Sequence, residues 1–200
     1  MITIIDYGMG NLKSIENAFR YLGARVKITN NPKEIEKAKK LVFPGVGNFG
    51  EAMKNLKRKK IDLSIKKSIQ KGASFLGICL GLQLLFEESE EALKIKGLSI
   101  FKGKVLKFKK VKIPQIGWNQ IRIQKKSKIL KGIKDGNFVY FMHSFYVEPI
   151  DEKIIVAETN YEKNFCSVIE SKNIFGVQFH PEKSGKVGLK ILENFVKLKC

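Results

Sequence analysis

In the first half of the chain, apolar positions alternate between short continuous runs and stripes of helical period. ITIID at 2–6, RVKIT at 25–29, KLVFP at 40–44 and SFLGI at 74–78 are short apolar runs bounded by turn residues, which predicts strands. Between them, LKSIENAFRYL at 12–22 places Leu12, Ile15, Phe19 and Leu22 on one helical face. PKEIEKA after an NNP turn, FGEAMKNLKRKK and IDLSIKKSIQKG also read as helices. Strands alternating with helices in this order predict a parallel sheet with helices on both faces.

The texture changes near residue 98. LSIFKGKVLKFKK, NQIRIQ, NFVYFMHSFYV, KIIVAET and CSVIE…IFGVQF alternate or run apolar between turn residues, which predicts antiparallel strands. SGKVGLKILENFVKL then reads as a closing helix. No linker, repeat or low-complexity tract intervenes. The expected architecture is α/β, an open, mostly parallel sheet flanked by helices with an additional antiparallel strand region, and residues 1–200 are expected to form one domain.

Composition narrows the function classes. A hydrophobic content of 44% with fourteen Phe suits a packed globule, and no apolar run is long enough for a membrane helix. MITIIDYGMG lacks a basic leader and meets Asp6 early, so no signal peptide is expected. Three scattered cysteines (79, 166 and 200) show no metal-type spacing and suggest a reduced, cytoplasmic setting. The net charge of +19 raises an acidic partner, nucleic acid included. Against nucleic acid, only four basic residues are Arg, and the Lys runs at 57–60 and 107–112 are short and come with no nucleic-acid-binding motif.

Three stretches carry chemistry. In GICLG, Cys79 stands directly after a predicted strand, at the rim where open parallel sheets bind ligands. The pattern G-x-C-x-G is the thiol form of a nucleophile elbow, although a lone Cys also suits a buried structural position. A helix starting at Cys79 favours thiolate, which matters because an ordinary thiol is only a few per cent ionised at neutral pH. In GVQFHPEKS, Pro181 pushes His180 toward extended backbone, where Glu182, two residues on, points the same way and orients the imidazole. In FPGVGNFGEAM, a Gly-rich loop after a strand offers backbone N–H groups to an anion, as an oxyanion hole with Leu80, as a phosphate cradle, or simply as a tight turn. No G-K-[ST] or G-x-G-x-x-G motif accompanies it, and neither cofactor nor metal is expected.

IDYGMGN (5–11), PGVGNFGEAM (44–53), GICLGLQLLFEESEE (77–91), IPQIGWN (113–119), YFMHSFY (140–146) and GVQFHPEKS (176–184) together resemble the class I, triad-type glutamine amidotransferases. Within that family the finer signature is similar to the glutaminase subunits of imidazole glycerol phosphate synthases, and the match runs over nearly the whole chain. The resemblance implies a flavodoxin-like fold and a Cys79, His180, Glu182 triad that hydrolyses glutamine through a thioester. It also implies an oxyanion hole from Val46, Gly47 and Leu80, and substrate contacts from Gly45, Gln83, Glu91 and backbone groups of His143, Ser144 and Phe145. Asn11, Trp118, Tyr140 and Lys183 are implied at the surface of a (β/α)8-barrel cyclase partner that receives the ammonia.

Two further expectations concern this partner. The Lys-rich surface complements an acidic rim on the cyclase and speeds docking. The glycines of PGVG leave its peptides free to reorient, so the hole is completed only when the partner and its ligand are bound. Rival readings are a basic nucleic-acid binder with an incidental cysteine, a hydrolase of peptide or γ-glutamyl bonds that uses the same elbow without a partner, and an amidotransferase of another pathway, such as nucleotide-sugar modification.

Overall fold

The computed structural model describes residues 1–199; Cys200, one of the three cysteines considered above, lies outside the described residues. Five parallel strands carry the first half: β1 (Ile2–Ile5), β2 (Val26–Thr29), β3 (Lys40–Gly45), β4 (Ser74–Cys79) and, from the far end of the chain, β13 (Ile174–Val177). Their order across the sheet is β2, β1, β3, β4, β13. Helices α1 (Leu12–Tyr21), α2 (Pro32–Lys37), α3 (Phe49–Arg58) and α4 (Ile61–Gln70) connect them, and a one-turn α5 (Leu80–Gln83) follows β4.

β1, β4 and β13 are buried at every position, as strands covered on both faces must be. The period of two sorts their side chains: Ile4, Val42, Leu76 and Ile78 join one core with α1 and the final helix α6 (Gly185–Lys197), whereas Ile5, Phe43 and Phe75 join another with α2, α3 and α4. In α1 the expected stripe buries Ile15 and Phe19, with Leu12 and Leu22 packed at its edge. Asn11, Asn31 and Asn48 cap α1, α2 and α3 by accepting first-turn N–H bonds.

The second half turns antiparallel at β13, which pairs with β12 (Asn164–Ser171); the sheet continues through β10 (Phe145–Pro149) to β6 (Gly103–Lys107) and the two-residue β5 (Glu88–Ser89). β11 (Ile155–Asn160) bridges β12 and β8 (Arg122–Ile123), while β7 (Gln115–Gln120) and β9 (Phe138–His143) form a separate ribbon.

Three expected elements differ. NFVYFMHSFYV is not one strand: it breaks at Ser144, so that β9 serves the ribbon and β10 the main sheet. The apolar run 98–101 is not strand either, because its amides bond back to Leu84, Leu85 and Phe86 carbonyls; the strand begins only at Gly103. NQIRIQ splits between β7 and β8, and Ile121 between them bonds to Asn137.

Candidate active site

The strand registers bring the three sequence stretches to one rim. Gly45 pairs with Cys79 at the carboxyl ends of β3 and β4, and Val177 pairs with Ile78, which leaves His180 just past the adjacent strand end. Cys79 has φ 54° and ψ −110°, outside the conformations L-residues ordinarily adopt, a strain on the order of 1–3 kcal/mol. This is the sharp strand-to-helix elbow that GICLG predicted. Its glycines are steric necessities: a Cβ on Gly81 would sit 1.8 Å from the Phe43 carbonyl oxygen, and one on Gly77 would sit 2.6 Å from that of Gly81. The expected dipole contribution is small, because only the single turn of α5 follows the cysteine.

His180 and Glu182 meet at 2.9 Å between Nδ1 and Oε1, both side chains nearly fully buried. The reason differs from the expected strand alternation. His180 is extended, as Pro181 requires, but residues 181–183 form a 3-10 turn and Glu182 reaches back across it. The backbone is pinned from β9: the His180 amide donates to the Tyr140 carbonyl, the Tyr140 amide donates to Ser184 Oγ, and that hydroxyl donates to the His180 carbonyl. Burial is the largest influence on the His180 imidazole and lowers its basicity. Interactions with the Cys79 sulfur and the Glu182 carboxylate overcome it and bring the pKa up to about 10. The ring's other nitrogen, Nε2, has no conventional hydrogen-bond partner and is left to the sulfur.

A cavity of about 200 Å³ opens on Cys79. Val46, Gly47, Leu80, Gln83 and Glu91 line it, as do His143, Ser144 and Phe145 from the β9–β10 break, all in the expected set. Gly45 is not among its walls: it packs against Leu80, Gly81 and Tyr7, where an added Cβ would fall 2.7 Å from the Leu80 Cβ. His180 and Glu182 border a second, narrower cleft with Asn11 and Lys183. Glu91 is partly occupied, its Oε2 accepting the Phe49 amide at the start of α3. Gln83 is buried, and its Nε2 donates to the Phe145 carbonyl at 2.8 Å. The same carbonyl lies 2.8 Å from His143 Nδ1; since a carbonyl only accepts, the proton sits on that nitrogen. Burial, helped by the charge of His180, lowers the His143 pKa to about 4 and keeps the ring neutral.

Trp118 and Tyr140 are cross-strand partners with rings 6.0 Å apart in edge contact, and Lys183, which borders the narrower cleft, has its Nζ 5.9 Å from the Tyr140 ring. Trp118 is 56% exposed, with Ile116 and Phe138 also exposed on this ribbon. Sequence reasoning passed over three residues. Ser184 fixes the His180 loop; Gln178, wholly buried, contacts the Cys79 sulfur; and the Tyr7 hydroxyl is buried behind Gly45 without a partner, its ionisation disfavoured by burial and then by charge on Cys79. Gln178 and Ser184 flank the HPE stretch, so proximity to that motif was the available signal.

The family model described as "Glutamine amidotransferase class-I" matches residues 3–198. The protein named imidazole glycerol phosphate synthase subunit HisH from Methanocaldococcus jannaschii is 54% identical over 199 residues, covering 99% of this chain and all of that protein. Its namesake from Pyrococcus furiosus is 52% identical and covers 98% of both chains. Among solved structures, PurLQS from Thermotoga maritima superimposes with a TM-score of 0.79 at 20% identity, covering 98% of this chain and 96% of that one, a likeness of fold. Among the described residues no helix is long and apolar enough to cross a membrane.

Proposed function

This chain belongs to the class-I glutamine amidotransferase family, and from that premise we propose that it hydrolyses glutamine as the glutaminase subunit of an imidazole glycerol phosphate synthase. The observation that carries the reading is the buried His180–Glu182 pair beside a sulfur held in a strained elbow at the mouth of a cavity. The reading takes residues 1–200 as one amidotransferase domain and its setting as the cytoplasm.

In the first half-reaction the Cys79 sulfur bonds to the side-chain amide carbon of glutamine, and the carbonyl electron pair moves onto oxygen. Backbone N–H groups of Leu80 and of the Val46–Gly47 peptide stabilise that oxyanion. As the C=O bond re-forms, the C–N bond breaks and the nitrogen takes a proton from His180, which releases ammonia and leaves a thioester. His180 then removes a proton from water, which adds to the thioester; the carbon–sulfur bond breaks, glutamate leaves and the proton returns to the sulfur–imidazole pair. Glu182 holds the ring in the tautomer that keeps Nε2 toward the sulfur. Gln83, Glu91 and the backbone of residues 143–145 hold the amino-acid end of the substrate.

Ammonia in neutral water is mostly protonated and is no nucleophile, so it must pass through a dry route. The acceptor in this reading is a (β/α)8-barrel cyclase subunit that uses it to form imidazole glycerol phosphate and aminoimidazole carboxamide ribonucleotide in histidine biosynthesis. An exposed aromatic next to a cation is what partner hot spots are made of, which supports Trp118, Tyr140 and Lys183, with Asn11 beside them, as the docking surface. Copurification with the cyclase and a glutaminase assay with and without the cyclase's ligand tests the reading. We expect a stable complex whose glutaminase rate rises with ligand; no complex and no glutamine turnover would overturn it.

A further inference from the structure

We propose that Gln178 acts in the same reaction: its side-chain amide, locked in one orientation by Gln83, donates a hydrogen bond to the Cys79 sulfur and holds it in the nucleophilic form. This rests on the reading of Cys79 as the nucleophile.

Gln178 follows the last residue of β13 and is wholly buried, with its main-chain amide donating to the Ser167 carbonyl. Its Nε2 lies 3.6 Å from Cys79 Sγ, and its Oε1 lies 3.2 Å from Gln83 Nε2. Gln83 Nε2 in turn lies 2.8 Å from the Phe145 carbonyl. Donor and acceptor chemistry fixes every orientation in this chain. The Phe145 carbonyl only accepts, so Gln83 must present its NH2 group there. That NH2 group only donates, so Gln178 must present its oxygen to it, which leaves the Gln178 NH2 group for the sulfur. The reverse flip would set two NH2 groups against each other and aim a carbonyl at the sulfur.

The consequence is chemical. The sulfur also faces the Met142 carbonyl at 3.9 Å, which suits a thiol as donor and gives a thiolate nothing. A thiolate needs donors, and in this buried corner they are His180 and Gln178. Gln178 supplies a neutral one, which faces the sulfur both before it attacks and when the carbon–sulfur bond breaks and the thiolate re-forms. Gln83 also lines the cavity, which ties the orientation of the sulfur's donor to the wall that meets the ligand.

The test is the rate of Cys79 alkylation by iodoacetamide as a function of pH, located by mass spectrometry on the full chain. Relative to the unsubstituted protein, Gln178→Met should react about tenfold more slowly at neutral pH, with its profile displaced upward by about one pH unit and its limiting rate at high pH retained. Gln178→Glu, equal in size but carrying a carboxylate, should displace the profile at least as far. Profiles superimposable on the unsubstituted protein would overturn the proposal, and so would a lowered limiting rate with an unmoved profile, which marks a merely structural residue. If circular dichroism shows either variant unfolded, the side-chain amide proton resonance of Gln178 in the unsubstituted protein decides: it should move when Cys79 is alkylated, and an unmoved resonance overturns the proposal. Alkylation consumes no glutamine, so these outcomes stay separate from the reading beneath them, which fails instead if Cys79→Ala retains glutaminase activity.

Discussion

Glu182 reaches back across a single 3-10 turn to bring its Oε1 within 2.9 Å of His180 Nδ1, and both side chains are almost completely buried. Burial alone would make this imidazole a weak base; the sulfur of Cys79 and the carboxylate reverse that and hold it protonated up to about pH 10. The chain has two histidines, so their ring-proton resonances are easily told apart. We predict that the His180 resonance titrates only near the top of this range, and that its midpoint falls in Cys79→Ala and in Glu182→Gln. His180→Ala should lower glutamine turnover by at least about 10²-fold, read in a steady-state assay of the complex.

The other histidine gives a stability prediction. His143 is neutral in the fold, with its pKa lowered to about 4 by burial, against an unfolded value near 6.5. Between these values the unfolded chain binds the extra proton, so this contribution is present above about pH 6.5 and is lost as pH falls through about 4. Its full size is on the order of 3 kcal/mol. His180 has the opposite sign: its raised pKa stabilises the fold below about pH 6.5 and that contribution is lost as pH rises through about 10. Thermal melts of the unsubstituted protein against His143→Phe should show the acid limb shrinking in the variant.

Glycine at the elbow is required by contact rather than by convention. Gly81→Ala would drive its methyl to 1.8 Å from the Phe43 carbonyl and must push α5 away from β3. Overpacking of this kind costs about 1–3 kcal/mol or more, and the melting temperature should fall accordingly. Because the displaced turn carries Cys79 and Leu80, glutamine turnover should fall further than the lost stability explains, when assayed at a temperature where the variant is folded.

Docking gives the fourth prediction. Trp118→Ala should weaken cyclase binding by more than about 1 kcal/mol in titration calorimetry, because the exposed ring has no core role to lose. With a net charge of +19, the association rate should fall as ionic strength rises; a flat dependence would remove electrostatic steering from the account.

Much of this was legible in the sequence because two signals are local. Short apolar runs bounded by turn residues, such as SFLGI, pointed to buried strands, and G-x-C-x-G put the cysteine at a strand end. What was not legible depends on tertiary partners. The break at Ser144 falls at the polar pair His143-Ser144, but that pair does not say that the two apolar halves join different sheets. The Glu182 contact was anticipated but for the wrong reason, because a proline fixes its own φ without saying that the following residues turn. Gln178 looked like one polar position in a strand, and its significance arises only where Gln83 and Cys79 arrive from another element.

The central claim is that a glutamine-like electrophile meets the Cys79 sulfur with His180 at its side. The most direct measurement is mass-spectrometric mapping of the adduct left by a diazo-ketone analogue of glutamine on the complex with cyclase. The account predicts one adduct, on Cys79, formed in step with loss of glutaminase activity and strongly slowed in His180→Ala. Labelling of Cys166 instead, or full loss of activity with Cys79 unmodified, would contradict it.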